Sequence, residues 1–259
     1  MANHKGEFIR LMEPLADTRR MSDVFNDFLE LSTLSILNRV EFSREREDKY
    51  MGVIGKYDRK LVDNFPSMLA QTALALGERH QDFLGDIYME IGMGNARAGQ
   101  FFTPYHVCRL MAKVGGDING DAIRERGYIT VYDPCCGASG LLIAYAEHFR
   151  EGGFNPQTQL AAYAEDIDIT CCRMSYVQLS LLGIPARVRH MDSLSNEVWA
   201  QWVTPFWAIG LFDMRERRRF REARDEDGRG EAPREVADGG ADIANVTSDV
   251  TLKQMKLDL

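Results

Sequence analysis

Three short stretches of the chain carry residue types suited to holding a small polar ligand. Asp133-Pro-Cys-Cys-Gly-Ala-Ser-Gly140 follows the β-rich run Tyr128-Ile-Thr-Val-Tyr132 and precedes the apolar run Leu141-Leu-Ile-Ala-Tyr145. That order reads as a strand, a glycine turn and a helix start. Such a turn lets backbone approach a ligand closely and leaves helix-terminal N–H groups unpaired. Gly99-Gln-Phe-Phe-Thr-Pro104 lies upstream, and Tyr163-Ala-Glu-Asp166 closes a second β-rich run downstream. An acid at the end of that strand, Glu165 or Asp166, is placed to accept hydrogen bonds from two ribose hydroxyls, or equally to cap a helix.

The acid in front of the turn bears on the charge of the ligand. A nicotinamide dinucleotide asks for Gly-x-Gly-x-x-Gly, whereas the glycines here are Gly137 and Gly140 and the turn opens on Asp133. A carboxylate at the carboxyl end of a strand attracts a cation or a donor and repels a pyrophosphate. S-adenosylmethionine carries an ammonium and a sulfonium and no phosphate, so Asp133 favours it.

These stretches need elements to position them. Val24, Phe28, Leu31, Leu34 and Leu37 recur at helical spacing, and the charged run Ser43–Lys49 reads as a break after them. A second helix is expected near Pro66, carrying Leu69, Thr72, Ala73 and Leu76, and a third from Asp82 to Ile91. The glycine-rich Gly92–Gly99 marks a boundary. Beyond it the pattern alternates: helix Tyr105–Val114, strand Tyr128–Tyr132, helix to Phe149, strand Leu160–Ala164, helix Ile169–Leu182, strand Ala186–His190 and a fourth strand at Phe206–Phe212. Alternation of this kind builds a parallel sheet with helices on both faces. The expected division is a helical region over 1–98, a ligand-binding α/β domain over 99–214, and a charged helix with a disordered tail over 215–259.

Composition narrows the function classes. With 45% hydrophobic and 10% aromatic residues in 259, the chain is globular, and its net charge of -8 requires any nucleic-acid contact to come from a local basic patch. The arginines between Arg215 and Arg224 are interleaved with acids and read better as a solvated helix face. No apolar run approaches the roughly 20 residues of a membrane span, and Met1–Lys5 lacks a signal-peptide core, so a cytoplasmic protein is expected. The five cysteines, Cys108, Cys135, Cys136, Cys171 and Cys172, lack zinc-ligand spacing and read as reduced thiols.

Taken in order, these motifs resemble the adenine-N6 DNA methyltransferases, particularly the modification subunits of type I restriction systems. The resemblance runs from Asp82-Phe-Leu-Gly-Asp-Ile-Tyr88 through Gly99–Pro104, Asp133–Gly140 and Glu165 to His190-Met-Asp-Ser-Leu194. It implies a Rossmann-like S-adenosylmethionine-dependent methyltransferase sheet preceded by a helical region, with double-stranded DNA as a partner. By the same resemblance Gln100, Phe101, Phe102, Thr103, Pro104 and Tyr105, with Asp133, Gly137, Ala138, Ser139 and Gly140, line the cofactor pocket. Glu165 is implied as the ribose-binding acid, and Asp192 lies near the adenine amino group.

Two departures qualify the expected activity. The family signature Asn/Asp-Pro-Pro-Tyr/Phe, which holds the target amino group and stacks on a flipped base, occurs nowhere in the chain. If Phe206–Leu211 is the fourth strand, Phe212-Asp-Met-Arg215 takes that place and Asp213 is the catalytic candidate. The sheet also looks unfinished, which suggests a partner subunit or self-association. Three readings follow: an adenine methyltransferase, a non-catalytic relative that keeps the cofactor pocket in DNA modification or anti-restriction, and a methyltransferase for another substrate.

Overall fold

The structure is a computed structural model that describes residues 2–93, 102–115, 118, 120–226 and 250–251. Five helices come first: α1 His4–Met12, α2 Met21–Val40, α3 Arg44–Ile54, α4 Asn64–Glu78 and α5 Phe83–Glu90. The expected break at Ser43–Lys49 is instead the start of α3. Ser43 caps it by accepting from the Arg46 amide, and its charges face solvent in i, i+4 pairs such as Lys49 with Glu45. Phe8, Phe25 and Phe28 form an edge-packed aromatic centre for the bundle, with Phe8 and Phe28 ring centroids 5.0 Å apart.

The second half contains α6 Tyr105–Gly115, α7 Gly120–Arg126, β1 Ile129–Asp133, α8 Gly140–Glu151, α9 Pro156–Gln159, β2 Leu160–Asp166, α10 Ile169–Leu181 and β3 Ala186–Asp192. It continues with β4 Glu197–Val203, α11 Pro205–Ile209, α12 Phe212–Glu226 and β5 Val250–Thr251. The sheet order is β4-β3-β2-β1-β5, parallel except for β4, which runs antiparallel to β3. This is a Rossmann-like α/β fold. β1, β2 and β3 are rich in Val, Ile and Ala on the face that α8 and α10 cover, as a sheet buried on that side requires.

One expected strand is corrected. Phe206–Phe212 is not a strand: Pro205 opens the short helix α11, and Phe212 begins α12. The strand beside β3 is β4, whose turn is built by Asp192 Oδ1 accepting from the Leu194 and Ser195 amides and by Asn196 at φ 60°. Trp207 and Phe212 pack on Tyr128, Ala161 and Tyr163, so α11 and α12 lie on the sheet face opposite α8 and α10. Of the expected tail, residues 227–249 and 252–259 lie outside the described residues, while the two residues of β5 pair with β1.

The helical half and the sheet half share apolar packing. The core of Phe8, Phe28, Leu84 and Tyr88 continues into Ala138 of the glycine turn and into Cys171, Met174 and Val177 of α10. A side chain of α5 therefore has a packed route to the carboxyl edge of β1.

Candidate cofactor site

A cavity of about 140 Å³ opens where β1 ends. Its walls come from three places: Asp133 to Leu141 of the β1–α8 turn, Phe102 to Met111 around the start of α6, and Asp82 at the start of α5. Gly137 has φ 55°, a conformation that favours glycine, and a Cβ there would stand 3.1 Å from the Phe102 ring. The turn is braced from β2: the Cys136 amide donates to Glu165 O at 2.8 Å, and the Gly137 amide donates to Asp166 Oδ2 at 2.9 Å.

Gln178 ties two of these walls together, the start of α5 and the β1–α8 turn. It is fully buried on α10 and donates from Nε2 to Asp82 Oδ1 at 2.9 Å and to Ala138 O at 2.8 Å, while its Oε1 accepts from the Leu84 amide at 3.0 Å. Asp82 Oδ1 also caps α5 through the Gly85 amide at 3.0 Å. The other carboxylate oxygen, Oδ2, lies toward Gly140, 3.2 Å from where a Cβ on that residue would stand.

The cavity is electronegative. Asp82 and Asp133 are only 5% and 2% exposed, and among the described residues the lining carries no basic side chain. Burial pushes the Asp82 carboxyl up to about 6, against stabilising bonds from Gln178 and Gly85. Burial, with Asp82 and then Asp133 nearby, pushes the Cys108 thiol up to about 12, so Cys108 is an uncharged wall. All five cysteines are free thiols. Such a site lowers its energy by taking in a cation.

The structure gathers some of the sequence candidates and separates others. Phe102, Thr103, Asp133, Gly137, Ala138 and Gly140 line the cavity. Gln100 and Phe101 lie outside the described residues. Pro104 supplies a carbonyl that accepts from the Val107 and Cys108 amides at the start of α6. Tyr105 points away, donating to Glu147 on α8 at 3.1 Å. Ser139 is buried with its hydroxyl on Ser175 of α10, and so supports the turn from behind. Glu165 and Asp192 sit at the ends of β2 and β3, outside the cavity wall. The Asp192 carboxyl is held below its ordinary range chiefly by the Leu194 amide.

Asp213 is displaced furthest. It bonds Arg187, near the start of β3, at 2.5 Å and accepts from Trp207 Nε1 at 2.9 Å. Asp133, Glu165 and Asp192 all stand at the opposite, carboxyl ends of parallel strands. The expected catalytic placement therefore fails, because its segment is the first turn of α12 and not a strand end.

Asp82 and Gln178 join the candidate site through contacts distant in sequence, although Asp82 heads the Asp82–Tyr88 motif. Ile167 and Leu194 follow β2 and β3 and are 65% and 96% exposed at the same edge as the cavity. Large apolar side chains left open beside a polar site suit the face of a flat ring.

A largely parallel sheet with a cavity beyond the carboxyl end of β1 defines a Rossmann-like α/β protein with its candidate ligand site at the strand ends. The model of the N-6 DNA methylase family matches residues 79–209, just over half of the chain, and the chain belongs to that family. Two solved structures are similar. One is a protein assigned as a class I S-adenosylmethionine-dependent methyltransferase from Listeria monocytogenes, 16% identical over 74% of this chain and 55% of that one, with a TM-score of 0.42. The other is the methyltransferase subunit of a type I restriction-modification system from Streptococcus thermophilus, 14% identical over 70% and 56%, with a TM-score of 0.32. The chain thus spans little more than half the length of either. No curated protein matches it.

Proposed function

We propose that the chain binds S-adenosylmethionine at the carboxyl edge of β1 and β2 and belongs to a system that methylates adenine N6 in double-stranded DNA. The observation that carries this reading is the cavity at the end of β1, whose lining includes two buried carboxylates, Asp82 and Asp133. The ammonium of the cofactor fits that charge, and a pyrophosphate does not. Bound there, the cofactor would supply an electrophilic methyl group. Asp133 and Asp82 would hold its amino-acid end, Phe102 and Gly137 would shape the wall, and Glu165 would accept from the ribose. Asp192, Ile167 and Leu194 would contact the adenine.

A second reading is favoured by a specific observation. The signature that clamps a flipped adenine is absent from the sequence, and Asp213 stands at the wrong end of the sheet to replace it. A cofactor-binding subunit whose catalytic strand comes from a partner, or one that regulates, accounts for both facts. β4 lies at the edge of the sheet with Trp199 46% exposed, which suits association with another chain. Among the described residues no helix is long and apolar enough to cross a membrane.

Calorimetry with S-adenosylmethionine and transfer of labelled methyl to unmethylated duplex DNA test the two readings together. Label recovered as N6-methyladenine supports the enzyme. Cofactor binding without label supports the non-catalytic or partnered subunit. Absence of cofactor binding overturns both.

A further inference from the structure

Glu165 has surroundings unlike those of the acids in the cavity. Its Oε1 lies 3.5 Å from Arg189 Nη1, and the two side chains are 1% and 2% exposed. Arg189 is anchored on its far side by donating from Nε to Gln201 Oε1 at 2.8 Å, across the antiparallel β3–β4 register that sets these residues opposite each other. Glu165 Oε2 accepts from the Tyr132 hydroxyl at 2.5 Å, and the Ser193 hydroxyl lies 3.4 Å away with its proton committed to Pro134 O at 2.7 Å. Arg187, the next cation along β3, is committed to Asp213 and Glu216. Arg189 is therefore the cation that compensates Glu165 among the described residues.

The pair is informative because of what each oxygen retains. An ionised carboxylate offers about four acceptor positions. Oε2 has one short donor and Oε1 only the long contact to Arg189, so acceptor positions remain, and because the side chain is 1% exposed a diol reaches them by displacing the Tyr132 hydroxyl. A buried carboxylate stripped of its cation is costly, and the side chain would turn toward water or other donors. Arg189 is fixed by β4, so β4, the strand that sequence reading missed, reaches the ligand site through this side chain.

We propose that Arg189 is a positioning residue that holds the Glu165 carboxylate ready to accept from the two hydroxyls of a ribose-bearing ligand. The inference rests on the cofactor reading above and adds β4 to the site. Its test uses the full chain and two neutral probes: 5′-methylthioadenosine, which has the ribose but no ammonium, and its 2′,3′-dideoxy counterpart. Calorimetry should show Arg189→Met weakening methylthioadenosine about tenfold and Arg189→Lys restoring most of the loss, while the dideoxy probe binds all forms alike. Unchanged affinity for methylthioadenosine in Arg189→Met overturns the proposal, and so does an equal loss for both probes, which marks a general structural effect.

If Arg189→Met fails to fold, Gln201→Ala releases the guanidinium from its exposed anchor. It should give a smaller loss, about threefold, with the same preference for the hydroxyl-bearing probe. No such loss overturns the proposal. The two levels separate through Asp133→Asn. A wild-type chain that binds S-adenosylmethionine and loses it in Asp133→Asn, yet discriminates the probes equally with and without Arg189, keeps the cofactor reading and discards only this inference. A wild-type chain that binds neither S-adenosylmethionine nor methylthioadenosine discards both.

Discussion

The two ends of the candidate site treat negative charge in opposite ways. At the β1 end, Asp82 and Asp133 are buried with hydrogen-bond donors around them and no cation in the cavity wall among the described residues. At the β2 end, Glu165 is buried against Arg189. Among the described residues Asp82 meets hydrogen-bond donors and no cation, which leaves its charge for a ligand to neutralise. The β2 end has neutralised its charge within the protein and keeps only acceptor positions on offer. A ligand that meets both must carry a cation at one end and neutral donors at the other, which describes S-adenosylmethionine from its amino acid to its ribose.

The largest effect should come from breaking the paired end. Arg189→Met leaves Glu165 uncompensated and should destabilise the fold by about 4 kcal/mol, whereas the double change with Glu165→Gln should cost markedly less than the sum. Urea denaturation of the two single variants and the double variant reads this directly. Additive losses would show that the pair is not coupled and would remove the contrast between the ends.

Asp82 gives the next effect, through pH. Its folded carboxyl titrates near 6, above the unfolded 3.8, because burial disfavours the charge. A group raised in the folded state contributes stability that is fully present below pH 3.8 and lost as pH rises through about 6. Relative to Asp82→Asn, the wild type should therefore lose roughly 2.4 kcal/mol between pH 4 and pH 7. Affinity for S-adenosylmethionine should rise over the upper part of the same range as the carboxylate forms. Parallel stability profiles in the two proteins would place Asp82 in a more solvated setting than the structure shows.

Asp133→Asn removes a charge and keeps the shape of the turn. Affinity for S-adenosylmethionine should fall roughly hundredfold, as expected for the loss of one partner of a buried charge pair, while methylthioadenosine should be held almost as before. Equal losses for the two ligands would mean that the β1 end does not select for the cation. The smallest effect is expected at Asp213→Asn. Cofactor affinity should stay unchanged, and stability should fall by about 1 kcal/mol through the half-exposed pair with Arg187. A large loss of cofactor affinity would reopen a role for α12 at the site.

Local pattern explains what could be read in advance. The run from Tyr128 to Asp192 alternates β-rich and helix-period segments separated by glycine and proline turns, so its elements came out within a few residues of β1, α8, β2, α10 and β3. The glycine turn and the acid before it were legible because backbone conformation and strand-end charge depend on neighbours in sequence. A short apolar run such as Phe206–Phe212 fits a strand or a helix equally, and Pro205 at the first helical position decides for the helix. The charges of Ser43–Lys49 require solvent, which a break and a solvated helix satisfy alike.

The sequence by itself determined the individual family motifs, the α/β alternation and the acid before the glycine turn, since each rests on residues close together in the chain. Only the tertiary structure decided which side chains share the site. Asp82 meets Gln178 and Ala138 across long stretches of chain, Arg189 faces Glu165 from a neighbouring strand, and Asp213 is carried to the other end of the sheet. These placements follow from which elements can bury their apolar faces against one another, and no local spacing encodes that outcome.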